Sequence, residues 1–402
     1  MIKVTIFCVL LTLPFIIEAQ PDVISGRTNQ LTTKSLITSH GYPFEEHKVT
    51  TTDGYILTMH RIPWSPKNRN NTRSTSHEVV FLMHGLLDSS SGWVLSGPGK
   101  ALAYFLSDNG FDVWLGNARG NFYSREHSSK KPFFNSFWNF EWHQIGLYDL
   151  PAMMNYALLH TKQKQLRYVG HSQGTTSFLL LNSIDTEFKN TIRSAHLLAP
   201  VAYMEHMDSP LAKLAGPLLG QPNAVVELSS VEFLPKTEIL ELLGSLLCSQ
   251  ESLIQEMCNN IIFLIFGWDS PYLDKALVPK MLASVPAGSS LNQILHYLQL
   301  FVSGRFRQFD FGGLRNLAKY YSWSPPEYSL SNIDVPIFMY CSENDYFASI
   351  TDVTRLRGEL KSSTVKRFYI MPQKKWNHID FLWGINATEF LYEHFLTDFE
   401  NS

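Results

Sequence analysis

Cysteine is scarce, with four in 402 residues, and charged residues make up only 17% of the chain. So few thiols cannot build a disulfide scaffold, and so little charge, beside 45% hydrophobic residues, argues against disorder and for a large core. A formal net charge of -3 offers no basic face to nucleic acid. No cysteine–histidine spacing resembles a zinc site, no glycine loop is shaped to cradle phosphate, and there are no internal repeats. A metal, a cofactor and a nucleic-acid partner are therefore not expected. Long apolar runs are also missing beyond the N-terminus. Ile261 to Phe266 is apolar but much too short to span a bilayer.

The N-terminus itself reads as a targeting segment. Lys3 supplies positive charge, Val4 to Ile17 is apolar, and Ile17-Glu18-Ala19 sets a small residue before a cut at Gln20. The run is short for a membrane anchor and fits a signal peptide over residues 1–19. Export, to the outside or to lysosomes, permits disulfides. Cys8 leaves with the signal. Cys248 and Cys258 lie close together in a segment that reads as inserted and are expected to pair, and Cys341, ending an apolar strand, is expected as a buried free thiol. N-x-[ST] sequons at Asn70 and Asn386 mark surface positions for N-glycosylation.

Periodicity divides the rest. Alternating runs Glu46 to Thr52 and Tyr55 to Ile62 flank Asp53-Gly54 and predict a hairpin. Buried-strand runs follow at Val79 to Met83, Phe111 to Leu115, Gln165 to Val169 and Ala195 to Leu198. Helical patterns fall between them at Gly99 to Ser107, Leu150 to Leu159 and Thr175 to Asn182. This alternation predicts a mostly parallel sheet covered by helices. From about Tyr203 to Ser331 the pattern is mainly helical. Strands return at Val335 to Tyr340 and Val365 to Ile370, with helices around Val353 to Leu360 and Thr388 to Phe399. The expected division is an α/β core over 20–202 and 332–402, interrupted by a helical cap over 203–331. Within that cap, Leu234 to Trp268 mixes apolar and polar residues as an amphipathic lid would, although a plain cap helix would look the same.

Chemistry concentrates at Gly170-His171-Ser172-Gln173-Gly174. This G-x-S-x-G stretch lies where a strand should turn into a helix, which exposes the serine hydroxyl at the top of a sheet. The pattern alone is weak, so its partners decide. A serine hydroxyl needs a histidine to take its proton and a carboxylate to hold that histidine, here in the order Ser, Asp/Glu, His. Asp345 follows the strand ending near Tyr340. Its bland reading is a turn or cap residue, and Glu343 and Asp352 are its rivals. His378 is the only histidine between Asp345 and the final helix, which carries His394. A loop histidine bonded to backbone is the ordinary alternative. His171 adjoins the serine but should point elsewhere and is read as packing. Two backbone N–H groups should hold the oxyanion, one from Gln173 and one from Leu86 in His84-Gly85-Leu86-Leu87.

From about Gly41 to the last helix, the chain resembles the acid lipase family, that of the gastric and lysosomal acid lipases. The resemblance is carried by Gly41-Tyr42-Pro43, Thr52 to Leu57, His84 to Leu87, Asp112 to Asn117 with Ala118-Arg119-Gly120, Tyr168 to Thr176, Pro286 to Ser290 and Asn377-His378. It implies an α/β-hydrolase core with a mostly parallel sheet, an inserted helical cap with a movable lid, and hydrolysis of neutral lipid esters without a cofactor. It places nucleophile, acid and base on Ser172, Asp345 and His378, and the oxyanion donors on Leu86 and Gln173. A disulfide within the cap is similar to the Cys248–Cys258 pairing. The chain departs from the usual pattern at Ser90 to Trp93, at Phe266, where a cysteine is common, and at Ser342 to Asp345, where glycines are usual.

The expected activity is that of a secreted or lysosomal serine lipase acting on triacylglycerol or cholesteryl ester at a membrane or emulsion interface. A carboxylesterase for small soluble esters and a non-catalytic lipid-binding protein on the same fold are the alternatives.

Overall fold

The computed structural model describes residues 31–68, 77–185, 188–222, 230–237, 255–400 and 402. The segment read as a signal peptide, the Asn70 sequon, Cys248 and much of the proposed lid stretch lie outside the described residues. No helix among those described is long and apolar enough to cross a membrane.

The hairpin forms as β1 (Glu45–Thr50) and β2 (Tyr55–Ile62), antiparallel, with Glu45 opposite Arg61. Asp53-Gly54 sits at the turn, where Gly54 takes a φ of 96° that a side chain would resist. The central strands are β3 (Val79–Met83), β4 (Asp112–Leu115), β6 (Leu166–His171), β7 (Ile192–Leu198), β10 (Ile337–Cys341) and β11 (Val365–Ile370). The sheet runs β1-β2-β4-β3-β6-β7-β10-β11, with β5 (Glu126–His127) beside β2. All pairings from β4 to β11 are parallel. Continuous burial of β3, β4, β6 and β10 explains why they read as unbroken apolar runs rather than alternating ones. Helices occupy the crossovers, as at Leu150–Thr161 before β6 and Gln173–Ile184 after it.

Between β7 and β10 lie helices Pro210–Leu219, Gln255–Phe266, Val278–Ser284, Leu291–Ser303 and Gly313–Tyr320. A two-stranded ribbon, β8 (Glu232–Phe233) with β9 (Ser289–Ser290), interrupts this helical stretch. The insertion grips the core at several points. Trp142 stacks on His296 at 3.9 Å, the Tyr297 hydroxyl donates to Thr176 Oγ1 at 3.1 Å, and Arg125 pairs with Glu232.

The structure differs from the sequence expectation mainly at element ends. The helix expected from Gly99 begins at Leu102, because Gly97 and Gly99 hold φ of 78° and 80° in a turn. The final helix opens as a π-turn, Thr388–Tyr392, before Glu393–Glu400. A short N-terminal helix, Thr33–Ser39, was not expected. It is set by Thr32 and Ser35, which bond each other's backbone as a capping box.

One buried charge cluster ties the first half of the chain together. Arg119, 1% exposed, donates to Asp149 from Nε at 2.8 Å and to Asp53 from Nη1 at 2.6 Å and Nη2 at 2.9 Å. Its guanidinium lies 4.0 Å from the centre of the Tyr55 ring. Burial would raise the Asp53 carboxyl, but hydrogen bonds and charge from Arg119 outweigh it and hold the group below its ordinary value. Removing one member strands the other charges in a dry site. Arg119→Leu should lower the unfolding free energy by about 3–5 kcal/mol in a urea titration. The double variant Arg119→Leu/Asp149→Leu should recover part of that loss, and strictly additive losses would contradict the coupling.

Candidate active site

β6 ends at His171, and Ser172 follows with φ 51° and ψ −115°, a strained backbone for a residue with a side chain. The turn is held from both sides. Ser172 N donates to Leu198 O of β7 at 3.0 Å, and its carbonyl accepts from Thr175 N at 2.8 Å. Close packing permits nothing larger than glycine nearby. A Cβ on Gly174 would drive into the Met83 carbonyl oxygen at the end of β3, and one on Gly170 would lie 2.8 Å from the Gly174 carbonyl carbon. Ser172 is the N-cap of helix Gln173–Ile184 but makes no side-chain cap, so its hydroxyl is free to face elsewhere.

That hydroxyl faces His378. His378 Nε2 lies 2.8 Å from Ser172 Oγ, and His378 Nδ1 lies 2.9 Å from both carboxylate oxygens of Asp345. A carboxylate can only accept, so Nδ1 carries the proton and Nε2 is left to accept from the serine. Asp345 is 3% exposed and is aimed by the N–H groups of Phe347 and Ala348, at 2.9 and 2.8 Å from Oδ1. The rivals lie apart from this chain of contacts. Asp352 sits in the first turn of helix Ile350–Glu359, bonded to Ser349 and to His206 Nδ1 at 2.9 Å, and Glu343 is exposed. His394 instead packs at a tilt against Tyr369, ring centres 4.8 Å apart.

The loop after β3 closes on the same spot. A Cβ on Gly85 would meet Ser172 Cβ and His171 Nδ1 at 3.2 Å each, so Leu86 follows a residue in contact with the serine. His84 fixes this loop. Its Nδ1–H donates to Gly85 O at 2.7 Å, while its Nε2 accepts from Ala118 N and Asn121 Nδ2, both at 3.1 Å. Leu87, with φ 62°, accepts from Ala287 N of the insertion at 2.6 Å. The Gln173 side chain meets Gln293 of helix Leu291–Ser303, so the turn also touches the insertion directly.

Two contributors escaped the sequence reading. The first is His171, read as packing. Its Nε2–H donates to the backbone carbonyl of His378 at 2.8 Å, joining the serine turn to the histidine loop. The second is the end of helix Gln255–Phe266. Phe266 O accepts from His378 N at 3.3 Å and from Tyr346 N at 3.4 Å, and its ring lies parallel to that of His378, 6.3 Å away. Gly267, at φ 140°, is pressed against Asn344 O, and its carbonyl accepts from Asn377 Nδ2 at 3.3 Å. The insertion therefore braces the Asp345 and His378 loops against each other. The departure at Phe266 was visible in the sequence, but its partners are distant along the chain. Cys258 is disulfide-bonded and Cys341 is a buried free thiol.

Comparison with known proteins agrees with this architecture. Residues 33–97 match the family described as partial alpha/beta-hydrolase lipase region, and residues 78–221 match the alpha/beta hydrolase fold. Lipase 3 of Drosophila melanogaster is 46% identical over 91% of this chain and 92% of its own length. Gastric triacylglycerol lipase of Bos taurus is 37% identical over 90% of this chain and 89% of its own. Lysosomal acid lipase/cholesteryl ester hydrolase of Macaca fascicularis is 36% identical over 92% of this chain and 90% of its own.

Burial, followed by the nearby His378, holds the His171 imidazole down to about 3, and burial holds His84 down to about 4. Both rings are therefore neutral through mild acid. The unfolded chain takes up these protons near pH 6.5 while the folded one does not, so stability is full above that value and is lost as pH falls toward about 3. His171→Asn should flatten the acid-side fall of unfolding free energy by up to ~1.4 kcal/mol per pH unit in that window. An unchanged slope in denaturant titrations at stepped pH would contradict the neutral assignment.

Proposed function

Since the chain belongs to the acid lipase family, that of the gastric and lysosomal acid lipases, we propose that this carboxylic ester hydrolase cleaves neutral lipid esters by acyl transfer through Ser172. The observation that carries the reading is the unbroken line from Ser172 Oγ through both nitrogens of His378 to Asp345. His378 Nε2 takes the serine proton as Oγ attacks the ester carbonyl. Asp345 holds the ring in its tautomer and stabilises the imidazolium. The N–H groups of Leu86 and Gln173 bind the oxyanion, at a loop and a helix start that both adjoin the serine. The imidazolium then protonates the leaving alcohol. Water, deprotonated by His378, attacks the acyl-enzyme and frees the fatty acid. No step in this scheme calls for a cofactor.

Several finer readings go with it. Triacylglycerol or cholesteryl ester at a membrane or emulsion surface is the substrate class, supported by the names of the gastric and lysosomal relatives. Residues 1–19 direct export, to the outside or to lysosomes. Residues 203–331 form a cap over a core built from 20–202 and 332–402, with a lid in the stretch that includes Leu234 to Trp268. Cys258 pairs with Cys248. Asn386, exposed in a turn at φ 62°, and Asn70 carry glycans.

Ser172→Ala should lower turnover of emulsified triacylglycerol by on the order of 10⁵-fold or more while the circular dichroism spectrum is unchanged. A phosphonate ester probe should label the wild-type serine and not the variant. Equal turnover by the variant would overturn the assignment. Faster hydrolysis of monomeric than of emulsified ester would overturn the lipid reading alone.

A further inference from the structure

Far from Ser172, two histidines and a glutamate converge on the hairpin edge of the sheet. The alternation of β1 puts Glu45 and His47 on one face, half-buried, while Glu46 and Lys48 face solvent. His160, in the last turn of helix Leu150–Thr161, comes alongside. The His47 and His160 rings are 4.7 Å apart and edge-on. One donor atom from each of Glu45, His47 and His160 lies within 4.8 Å of the others. From this convergence we propose that these three residues bind a zinc-like divalent transition ion.

The chemistry of the surroundings suits such an ion. Two imidazoles and one carboxylate are the ligand types of zinc sites, and the imidazoles disfavour calcium and magnesium, which take oxygen ligands. Each ligand near the hairpin is oriented from behind. His47 Nε2–H donates to Glu45 Oε2 at 3.0 Å and Nδ1 accepts from the Tyr156 hydroxyl at 3.2 Å; an ion on Nε2 takes the place of that proton, and Nδ1–H then donates to the tyrosine oxygen. Arg61 Nη1 donates to Glu45 Oε2 at 2.7 Å. Such outer contacts fix the tautomer of a ligating histidine and the rotamer of a ligating carboxylate.

Arg61 does not cancel the charge the ion needs. Its guanidinium is engaged side-on by Asp112, at 2.8 Å from Nε and 2.6 Å from Nη2, so Glu45 supplies a net negative charge to the cluster. An ion about 2.0–2.2 Å from each donor requires donors about 3.3–3.6 Å apart. The His47–Glu45 pair, at 3.0 Å, must open by a few tenths of an ångström, and the exposed His160 ring, whose donor lies within 4.8 Å of the others, must close by about 1 Å.

The site is structural. Along the sheet register, Glu45 pairs with Arg61, Arg61 with Trp114, Trp114 with Phe81, and Phe81 with Tyr168 of the serine strand. Four strand spacings, about 19 Å, separate it from β6. The bound ion would staple the edge hairpin to the helix that precedes β6.

The test uses untagged full-length protein stripped with chelator and titrated with zinc chloride at pH 7.5 by calorimetry. One equivalent should bind and raise the melting temperature. His160→Ala and Glu45→Gln should each weaken binding at least tenfold and abolish the thermal shift. His160→Ala should hydrolyse ester as the wild type does. Absence of zinc binding up to millimolar concentration would overturn the proposal. So would unchanged affinity in both variants, which would place the ion elsewhere.

Discussion

The constraint on which the rest of the site depends is the contact between the serine turn and the end of β3. Gly174 presses its Cα toward the Met83 carbonyl, with no room for a side chain. That contact brings together the two segments that meet around the hydroxyl, the turn itself and the His84-Gly85-Leu86 loop. It also explains the backbone of Ser172. A positive φ is tolerable for a serine only where neighbouring strands leave no alternative, and here β3 and β7 flank the turn on either side. The helix that follows is buried from Gln173 to Ser183, so the strain cannot relax by moving it.

The remaining parts of the site are set by loops that the sheet alone would not hold. Asp345 and His378 follow β10 and β11, side by side in the parallel sheet, yet each loop is long enough to wander. Phe266 O accepts backbone N–H groups from both loops, and Gly267 O accepts the Asn377 side-chain amide. The helical insertion is thus part of the site's frame. His171 provides a second brace from below. Acid resistance of that brace follows from its dryness, since a ring without solvent gains its proton only well below the ordinary imidazole range.

Much of this was legible in the sequence because the chemistry demands an order. Strand, turn and helix around Ser172 follow from a short apolar run, two glycines and an uninterrupted helical pattern. Asp345 and His378 could be chosen because each trails a strand in the sequence required of the fold. The hairpin followed from Asp53-Gly54. What could not be read were contacts between distant segments. Arg119 appears in the chain only as part of a recognisable motif, and its partners Asp53 and Asp149 are known only once the hairpin turn meets the residues just before helix Leu150–Thr161. Glu45 and His47 stand two apart, but His160 reaches them across a helix, so no spacing announces the cluster. The short ribbon of β8 and β9 escaped because two residues give no periodicity.

The order of the segments along the chain has a temporal consequence. Ser172 and the strands on either side of it, β3 and β7, all precede the insertion, whereas Asp345 and His378 belong to the last strands made. A chain emerging from the ribosome therefore carries Ser172 through about half of synthesis before His378, which its hydroxyl faces, is made. Because β10 and β11 add beside β7, the contact from Ser172 through His378 to Asp345 forms only when translation is nearly finished.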